Sequence, residues 1–224
     1  MLQRARLADR PRVRRGGDKR SPALAPRLVL MVKAPVAGRV KTRLAREVGV
    51  VRATAFYRQS TSAVLDRLRR DPRWRTYLAV APDCAAMSRF WPPCRRVPQG
   101  PGDLGQRMQR LAEAMPPGPV VIVGTDIPGV RTHHIAAAFK EARRRDVVLG
   151  PAADGGYWLV GFGRRRRVPR CFSGVRWSSV HALADTRANL AGWDVGLVGT
   201  LADVDAACDL VRAACAGRRV AMVH

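Results

Sequence analysis

The chain has 224 residues, 47% of them hydrophobic, which suits one domain with a buried core and argues against a disordered protein. No apolar run approaches the ~20 residues that cross a bilayer, and the N-terminus lacks the apolar stretch of a secretory signal. Five cysteines without CxxC spacing argue against a disulfide framework and a zinc site, so we expect reduced thiols, most of them core residues, in a cytoplasmic protein.

The formal charge of +24 is compatible with nucleic acid, an anionic membrane surface or phosphorylated substrates as partners. The basic residues concentrate in the N-terminal tail, at a predicted helix end (Arg143–Arg145) and in one run (Arg164–Arg167). Few aromatic residues stand near them, so stacking platforms for single-stranded nucleic acid are missing. We therefore do not expect nucleic acid as a partner, and the tail and the arginine run have no assigned role.

The N-terminal part begins with a basic segment, residues 1–26, that we predict to be a disordered extension of a single domain over residues 27–224. A buried strand is predicted over residues 28–32. A basic loop follows it, and then a helix starts at about Thr42, breaks near Gly49 and resumes to about Arg70.

The rest of the chain alternates short apolar runs with helical patterns. Asp103 has the position of a helix cap, and so does Thr132. The predicted strands are 77–80, 120–123, 147–151, 157–161 and 195–198, and the predicted helices are 103–115, 132–145, 178–190 and 206–216. This alternation predicts a single-domain three-layer α/β/α sandwich with a mostly parallel sheet.

The loop after the first strand is basic and contains Lys33, Arg39, Lys41 and Arg43. A strand–loop–helix junction offers backbone N–H groups and the positive end of a helix dipole, and basic side chains there add charge-assisted bonds to a di- or triphosphate. The glycines of a P-loop and the Rossmann GxGxxG motif are both absent, so neither an ATPase nor a dehydrogenase is indicated. A solvated basic loop is the alternative.

Carboxylates follow several predicted strands: Asp126, Asp154 and the pair Asp203 and Asp205. Hard oxygen ligands at strand ends can hold Mg²⁺ or Mn²⁺ while substrate phosphates complete the coordination shell. Each aspartate also has a structural alternative. Asp126 and the Asp203/Asp205 pair could cap the helices that follow, and Asp154 could belong to a plain Asp-Gly-Gly turn.

Six segments carry a resemblance to a known family: KAPVAGRVKTRL, PQGPGDLGQRM, GTDIPGV, VLGPAADGGYWLVGF, VRWSS and LADVDAACDL. Together they cover about residues 28–212. The chain resembles the bacterial glycosyltransferase-like family named for arsenosugar biosynthesis, and it is similar to the phospholactate guanylyltransferases. The family's usual DVDTPEDL is DVDAACDL here, which keeps both aspartates.

The resemblance implies a nucleotide-diphospho-sugar transferase fold of the GT-A type, with Mg²⁺ or Mn²⁺ held by Asp126 and Asp205. It implies a substrate site at Asp154, Gly155, Gly156 and Trp177, in which Asp154 is the candidate general base and Lys41 a second catalytic residue. The implied nucleotide-binding residues are Lys33, Ala34, Pro35, Gly38, Lys41, Arg43, Gln99, Gly100 and Thr125.

Two reactions fit these residues. In the preferred one, a sugar moves from a nucleotide-sugar to a small acceptor while the metal holds the diphosphate leaving group. In the other, a phosphorylated small molecule attacks the α-phosphate of a nucleoside triphosphate. A non-catalytic nucleotide- or nucleic-acid-binding protein is the hypothesis of a different class.

Overall fold

A computed structural model describes residues 24–201 of the chain. The predicted extension, apart from residues 24–26, lies outside the described residues, and so do Asp203, Asp205 and the predicted helix 206–216. The strands are β1 (Arg27–Lys33), β2 (Arg75–Ala81), β3 (Arg95–Pro98), β4 (Val120–Gly124), β5 (Val147–Pro151), β6 (Tyr157–Phe162) and β7 (Val195–Leu197). The α-helices are α1 (Thr42–Val48), α2 (Val50–Arg69), α3 (Leu104–Ala114), α4 (Thr132–Ala142) and α5 (Ala182–Ala188).

The seven strands form one sheet in the order β3-β2-β1-β4-β6-β5-β7. Every pairing is parallel except those of β6, which runs antiparallel to both β4 and β5. Five of the strands are short, largely apolar runs buried between helical layers, as a mostly parallel sheet requires. The predicted α/β fold with a mostly parallel sheet is therefore confirmed.

Two apolar clusters, one on each face of the sheet, give the domain its three layers. On one face α2 and α4 pack against the sheet through residues such as Leu65 and Phe139. On the other face α3 contributes Met108 and Leu111, and the segment around α5 contributes Leu190. Among residues 24–201, no helix has the length and apolarity needed to cross a membrane.

Several predicted boundaries are confirmed, and others need correction. The helical break near Gly49 is real, because α1 and α2 meet at this glycine, which has φ of 85°. The Asp103 carboxylate accepts a hydrogen bond from the Gln106 N–H at 2.8 Å, as an N-cap does. The cap of α4 is Arg131 and not Thr132, because the His134 side chain accepts from the Arg131 N–H. Strand β3 was missed because RRVP contains no apolar run.

The arginine run lies at the amino-terminal edge of the sheet, beyond the end of β6. Arg164 Nη1 donates to the carbonyls of Met115 and Pro116, at 2.9 and 2.8 Å, just after α3 ends. Arg165 donates to the Arg144 carbonyl after α4. These guanidinium groups therefore satisfy carbonyls at the C-cap of α3 and one residue past the C-caps of α3 and α4.

Candidate functional site

The carboxyl-terminal edge of the sheet gathers the predicted site residues. Strands β1 and β4 are paired in parallel up to Met31 and Gly124, so the segments that follow them emerge side by side. The β1–α1 loop, residues 34–41, leaves from β1, and Thr125 and Asp126 leave from β4. The turn at 152–156 follows β5 at the same edge. Open α/β sheets bind their ligands at this edge.

The β1–α1 loop is fastened at both ends and open in between. Val40 and Leu44 are buried at its helical end. At its strand end the Tyr57 hydroxyl accepts from the Lys33 N–H at 2.9 Å and donates to the Lys33 carbonyl at 3.0 Å. A Cβ added at Gly38, where φ is 76°, would meet nothing within 4 Å. The middle of the loop is thus free to lie against a ligand.

Tyr57 is a member of the site that the sequence did not indicate. Burial in α2 raises the pKa of its hydroxyl to about 12, helped by the nearby negative charge of Asp126, although the hydrogen bond from Lys33 opposes the shift. The phenol therefore remains neutral at physiological pH and can serve both as donor and as acceptor. A tyrosine on the apolar side of a predicted helix carries no sequence signal for this contact.

An ion pair joins the β1–α1 loop to the end of β4. Lys41 Nζ lies 3.4 Å from Asp126 Oδ1. The Lys41 side chain is only 6% exposed, whereas that of Asp126 is 56% exposed. Lys41 also adopts a left-handed backbone conformation, with φ of 47°, just before α1 begins. The basic loop is therefore not simply solvated, because one of its charges is directed onto the predicted metal ligand.

Buried neighbours and a hydrogen-bonded turn hold Asp126 in place. Thr125 before it and Ile127 after it are buried. The turn that follows is held by Arg67, whose Nη1 donates to the carbonyls of Pro128 and Val130 at 3.1 and 2.5 Å. Helix α4 starts only at Thr132. The helix-capping alternative for Asp126 is therefore wrong, and its carboxylate is left facing the loop and solvent.

Gln99 lies at the same edge, and its side chain has a structural task. It is 4% exposed, and its Nε2 donates to the carbonyls of Val32 and Ala79 at 3.0 and 2.8 Å. Asp83 Oδ1 accepts from the backbone N–H groups of Gln99 and Gly100 at 3.0 and 3.1 Å. Gln99 thus joins the ends of β1 and β2, and contact with a nucleoside stays a prediction.

The turn after β5 is built by Asp154 and two glycines. Asp154 Oδ1 accepts from the Gly156 N–H at 2.9 Å, which closes a tight turn. Gly155 has φ of 85°, and a Cβ there would approach the Val180 Cα to 2.7 Å. A turn role for Asp154 is therefore present in the structure, and its predicted role as a general base stays a prediction.

Trp177 forms one wall beside this turn. Its ring packs at 6.2 Å from Tyr157 and at 6.1 Å from Phe172, measured between centroids. A Cβ added at Gly105 in the first turn of α3 would lie 2.7 Å from Trp177 Cζ2, so the absence of a side chain at Gly105 lets the helix approach the indole closely. The predicted substrate-binding indole is thus half-buried and firmly placed.

The described residues offer one candidate metal ligand with the chemistry that the sequence predicted. Between residues 24 and 201 no three His, Cys, Asp or Glu side chains cluster closely enough to hold a metal ion. Mg²⁺ commonly binds through one or two carboxylates plus substrate phosphates, so a single exposed carboxylate such as Asp126 fits. The predicted second ligand, Asp205, lies outside the described residues.

Comparison with protein families now identifies the chain. The family described as an uncharacterized protein conserved in bacteria (DUF2064) matches residues 64–179, which are 116 of the 224 residues. The chain belongs to this family. A comparison with curated proteins found no match. The arsenosugar name suggested by the resemblance is not confirmed.

Several solved structures with the same fold are transferases by name. A candidate nucleotide-diphospho-sugar transferase from Desulfovibrio desulfuricans G20 is 29% identical, with a TM-score of 0.74 over 81% of this chain and 83% of that chain. A nucleotidyl transferase from Methanothermobacter thermautotroptrophicus is 13% identical, with a TM-score of 0.60 over 85% and 96% of the two chains. The 2-C-methyl-D-erythritol 4-phosphate cytidylyltransferase from Thermus thermophilus is 18% identical, with a TM-score of 0.52 over 85% and 98%. This DUF2064 member therefore has the nucleotide-diphospho-sugar transferase fold.

Proposed function

We propose that this chain is a metal-dependent transferase that moves a sugar from a nucleotide-sugar to a small acceptor. The observation that carries the proposal is the meeting of Lys41 and Asp126 at the carboxyl edge of the sheet. A cation for phosphates and a carboxylate for a metal are there within one ion-pair distance. The 29% identical structure named as a candidate nucleotide-diphospho-sugar transferase supports sugar transfer.

The β1–α1 loop would bind the diphosphate of the donor. Lys33 at the end of β1, Lys41 in the loop and Arg43 in the first turn of α1 supply positive charge on one side of it. The open space around Gly38 allows the phosphates to approach the backbone closely. Tyr57 fixes the start of the loop and so orients these donors.

Asp126 would hold Mg²⁺ or Mn²⁺, with Asp205 as a second ligand. When bound, the metal neutralises charge on the diphosphate as it leaves, which is Lewis-acid catalysis. The buried residues on either side of Asp126 keep the carboxylate in place, and preorganised charge of this kind lowers the cost of the reaction.

The acceptor would bind between the turn at 152–156 and Trp177. The indole offers an apolar wall, and the free oxygen of the Asp154 carboxylate would accept the proton of the attacking hydroxyl group. In this role Asp154 acts as the general base, while its other oxygen keeps the turn closed.

Nucleotidyl transfer is the second candidate. It is supported by the extent of the structural match, which covers 98% and 96% of the chains of two nucleotidyl-transferring enzymes with the same fold. In that reaction an acceptor phosphate attacks the α-phosphate of a nucleoside triphosphate and pyrophosphate leaves. The same basic loop and metal carboxylate would serve it.

A thermal-shift panel with Mn²⁺ separates these reactions. We expect stabilisation by UDP- or GDP-sugars, and we expect Asp126→Asn to abolish the metal-dependent part of it. A response to GTP or CTP with none to nucleotide-sugars would refute sugar transfer in favour of nucleotidyl transfer. Steeply salt-dependent binding of DNA or RNA that survives Asp126→Asn would instead favour the non-catalytic hypothesis.

A further inference from the structure

The ion pair between Lys41 and Asp126 joins two residues to which the proposed function gives different ligands. Lys41 is to bind phosphate and Asp126 is to bind a metal ion, yet the two side chains contact each other at 3.4 Å. An ammonium group and a divalent cation at one carboxylate repel each other. Water and salt screen this repulsion only in part, because the Lys41 side chain is 6% exposed although that of Asp126 is 56% exposed.

We propose that Lys41 prevents Asp126 from binding the metal until a diphosphate draws the lysine away. This inference rests on the proposed function, and it adds an order of events to it. Lys41 moves from the carboxylate to the phosphates, and the carboxylate then becomes available to the metal. Metal and nucleotide thereby bind cooperatively, and the metal alone binds weakly.

The two partners differ in a way that makes Lys41 the moving one. Asp126 is fixed by its buried neighbours Thr125 and Ile127 and by the arginine-bound turn that follows. Lys41 instead has a long side chain with several rotatable bonds, and three residues earlier in its loop a Cβ added at Gly38 would meet nothing within 4 Å. Phosphate attracts an ammonium group more strongly than a single carboxylate does, because it carries more negative charge.

The test uses Lys41→Met and two probes, Mn²⁺ alone and inorganic pyrophosphate without metal. Methionine has a side chain of similar length and shape. The left-handed backbone at this position is no harder for methionine to adopt than for lysine, so we expect the fold to be preserved. We expect Mn²⁺, measured by electron paramagnetic resonance or calorimetry, to bind about tenfold more tightly to Lys41→Met than to the unmodified protein. Pyrophosphate should bind about tenfold more weakly, and each tenfold change equals about 1.4 kcal/mol.

Two further variants control the measurement. Arg46→Met removes one positive charge from the exposed surface of α1 and should change Mn²⁺ affinity less than twofold at physiological salt. Asp126→Asn gives the opposite pattern from Lys41→Met. It should lose Mn²⁺ binding and, because the negative charge of Asp126 no longer competes with the phosphates for Lys41, bind pyrophosphate about threefold to tenfold more tightly.

The outcomes separate this inference from the proposed function. If the unmodified protein binds Mn²⁺ and pyrophosphate, but Lys41→Met leaves Mn²⁺ affinity unchanged, the gating role of Lys41 is overturned and the function stands. If the unmodified protein binds neither probe, the function fails and the inference fails with it. Tighter Mn²⁺ binding in Arg46→Met equal to that in Lys41→Met would reduce the effect to net charge and also overturn the inference.

Discussion

Replacing Tyr57 with phenylalanine removes one oxygen atom from beneath the β1–α1 loop. That oxygen accepts from the Lys33 N–H at 2.9 Å and donates to the Lys33 carbonyl at 3.0 Å. Phenylalanine fills the same space but leaves both backbone groups of Lys33 without this partner. A buried unpaired group costs about 1–3 kcal/mol, so two such groups would together cost about 2–6 kcal/mol. Because Lys33 is partly open to water, we expect the lower end of this range, a loss of about 2–3 kcal/mol in the free energy of unfolding.

The consequence for binding follows from the position of Lys33 at the start of the loop. Loss of the anchor lets the strand end move, so we expect pyrophosphate affinity to fall about threefold to tenfold. Urea unfolding followed by circular dichroism measures the stability, and calorimetry measures the affinity. A parallel variant, Tyr157→Phe, is the matched control. Tyr157 also packs against the core, but its hydroxyl accepts only a long hydrogen bond of 3.4 Å from Thr186, so the cost should stay below about 1 kcal/mol.

Alkaline pH supplies a second measurement on the same variant. Burial raises the pKa of Tyr57 to about 12, whereas an unfolded tyrosine loses its proton near pH 10. Between these values the unfolded state binds fewer protons than the folded state, so stability falls as pH rises. Tyr57→Phe should make this decline shallower by up to about 1.4 kcal/mol per pH unit. Equal unfolding midpoints for the variant and the unmodified protein at pH 7, or equal costs for both tyrosines, would refute the anchoring role.

Three other substitutions test separate parts of the structure. Asp154→Asn keeps a side-chain oxygen for the Gly156 N–H but cannot accept a proton. Activity should therefore fall at least 100-fold, while the free energy of unfolding should fall by less than about 0.5 kcal/mol. Full activity in this variant would mean that Asp154 is a turn residue only. Gly155→Ala should cost about 2–4 kcal/mol in urea unfolding, because its Cβ would collide with the Val180 backbone at a positive φ. Arg164→Gln should cost about 1–3 kcal/mol and leave pyrophosphate affinity unchanged, and a drop in that affinity would contradict a purely structural arginine run.

Local chemistry in the sequence predicted much of the fold. The apolar runs at 28–32 and 120–123 are buried strands, because few side chains other than aliphatic ones suit a sheet covered on both faces. Asp103 caps α3 because its short carboxylate reaches the free N–H groups of the first turn. The parallel arrangement then dictates which loops share an edge, so the grouping of the basic loop with Asp126 followed from the pattern alone.

Contacts between distant segments could not be predicted in the same way. The Gln99 amide reaches carbonyls of two other strands, and Tyr57 reaches the end of β1 from the next helix. Neither side chain follows a spacing rule, since each depends on how the layers pack. The pairing of Lys41 with Asp126 is of the same kind. Sequence placed both residues at one edge, but only their packing shows that the lysine points at the carboxylate.

The high net charge of the chain does not by itself locate the candidate site, because many arginines make structural contacts. At least eight arginines donate hydrogen bonds to backbone carbonyls: Arg27, Arg67, Arg96, Arg107, Arg110, Arg131, Arg164 and Arg165. A guanidinium group has five donors in a planar fork, so it can satisfy two carbonyls at a helix end or turn while its charge stays partly hydrated. These eight of the 41 lysines and arginines are therefore used in structural contacts, and their charge does not point to one ligand. The charge that supports nucleotide binding is the small group on the β1–α1 loop, and what distinguishes it is the carboxylate of Asp126 opposite Lys41.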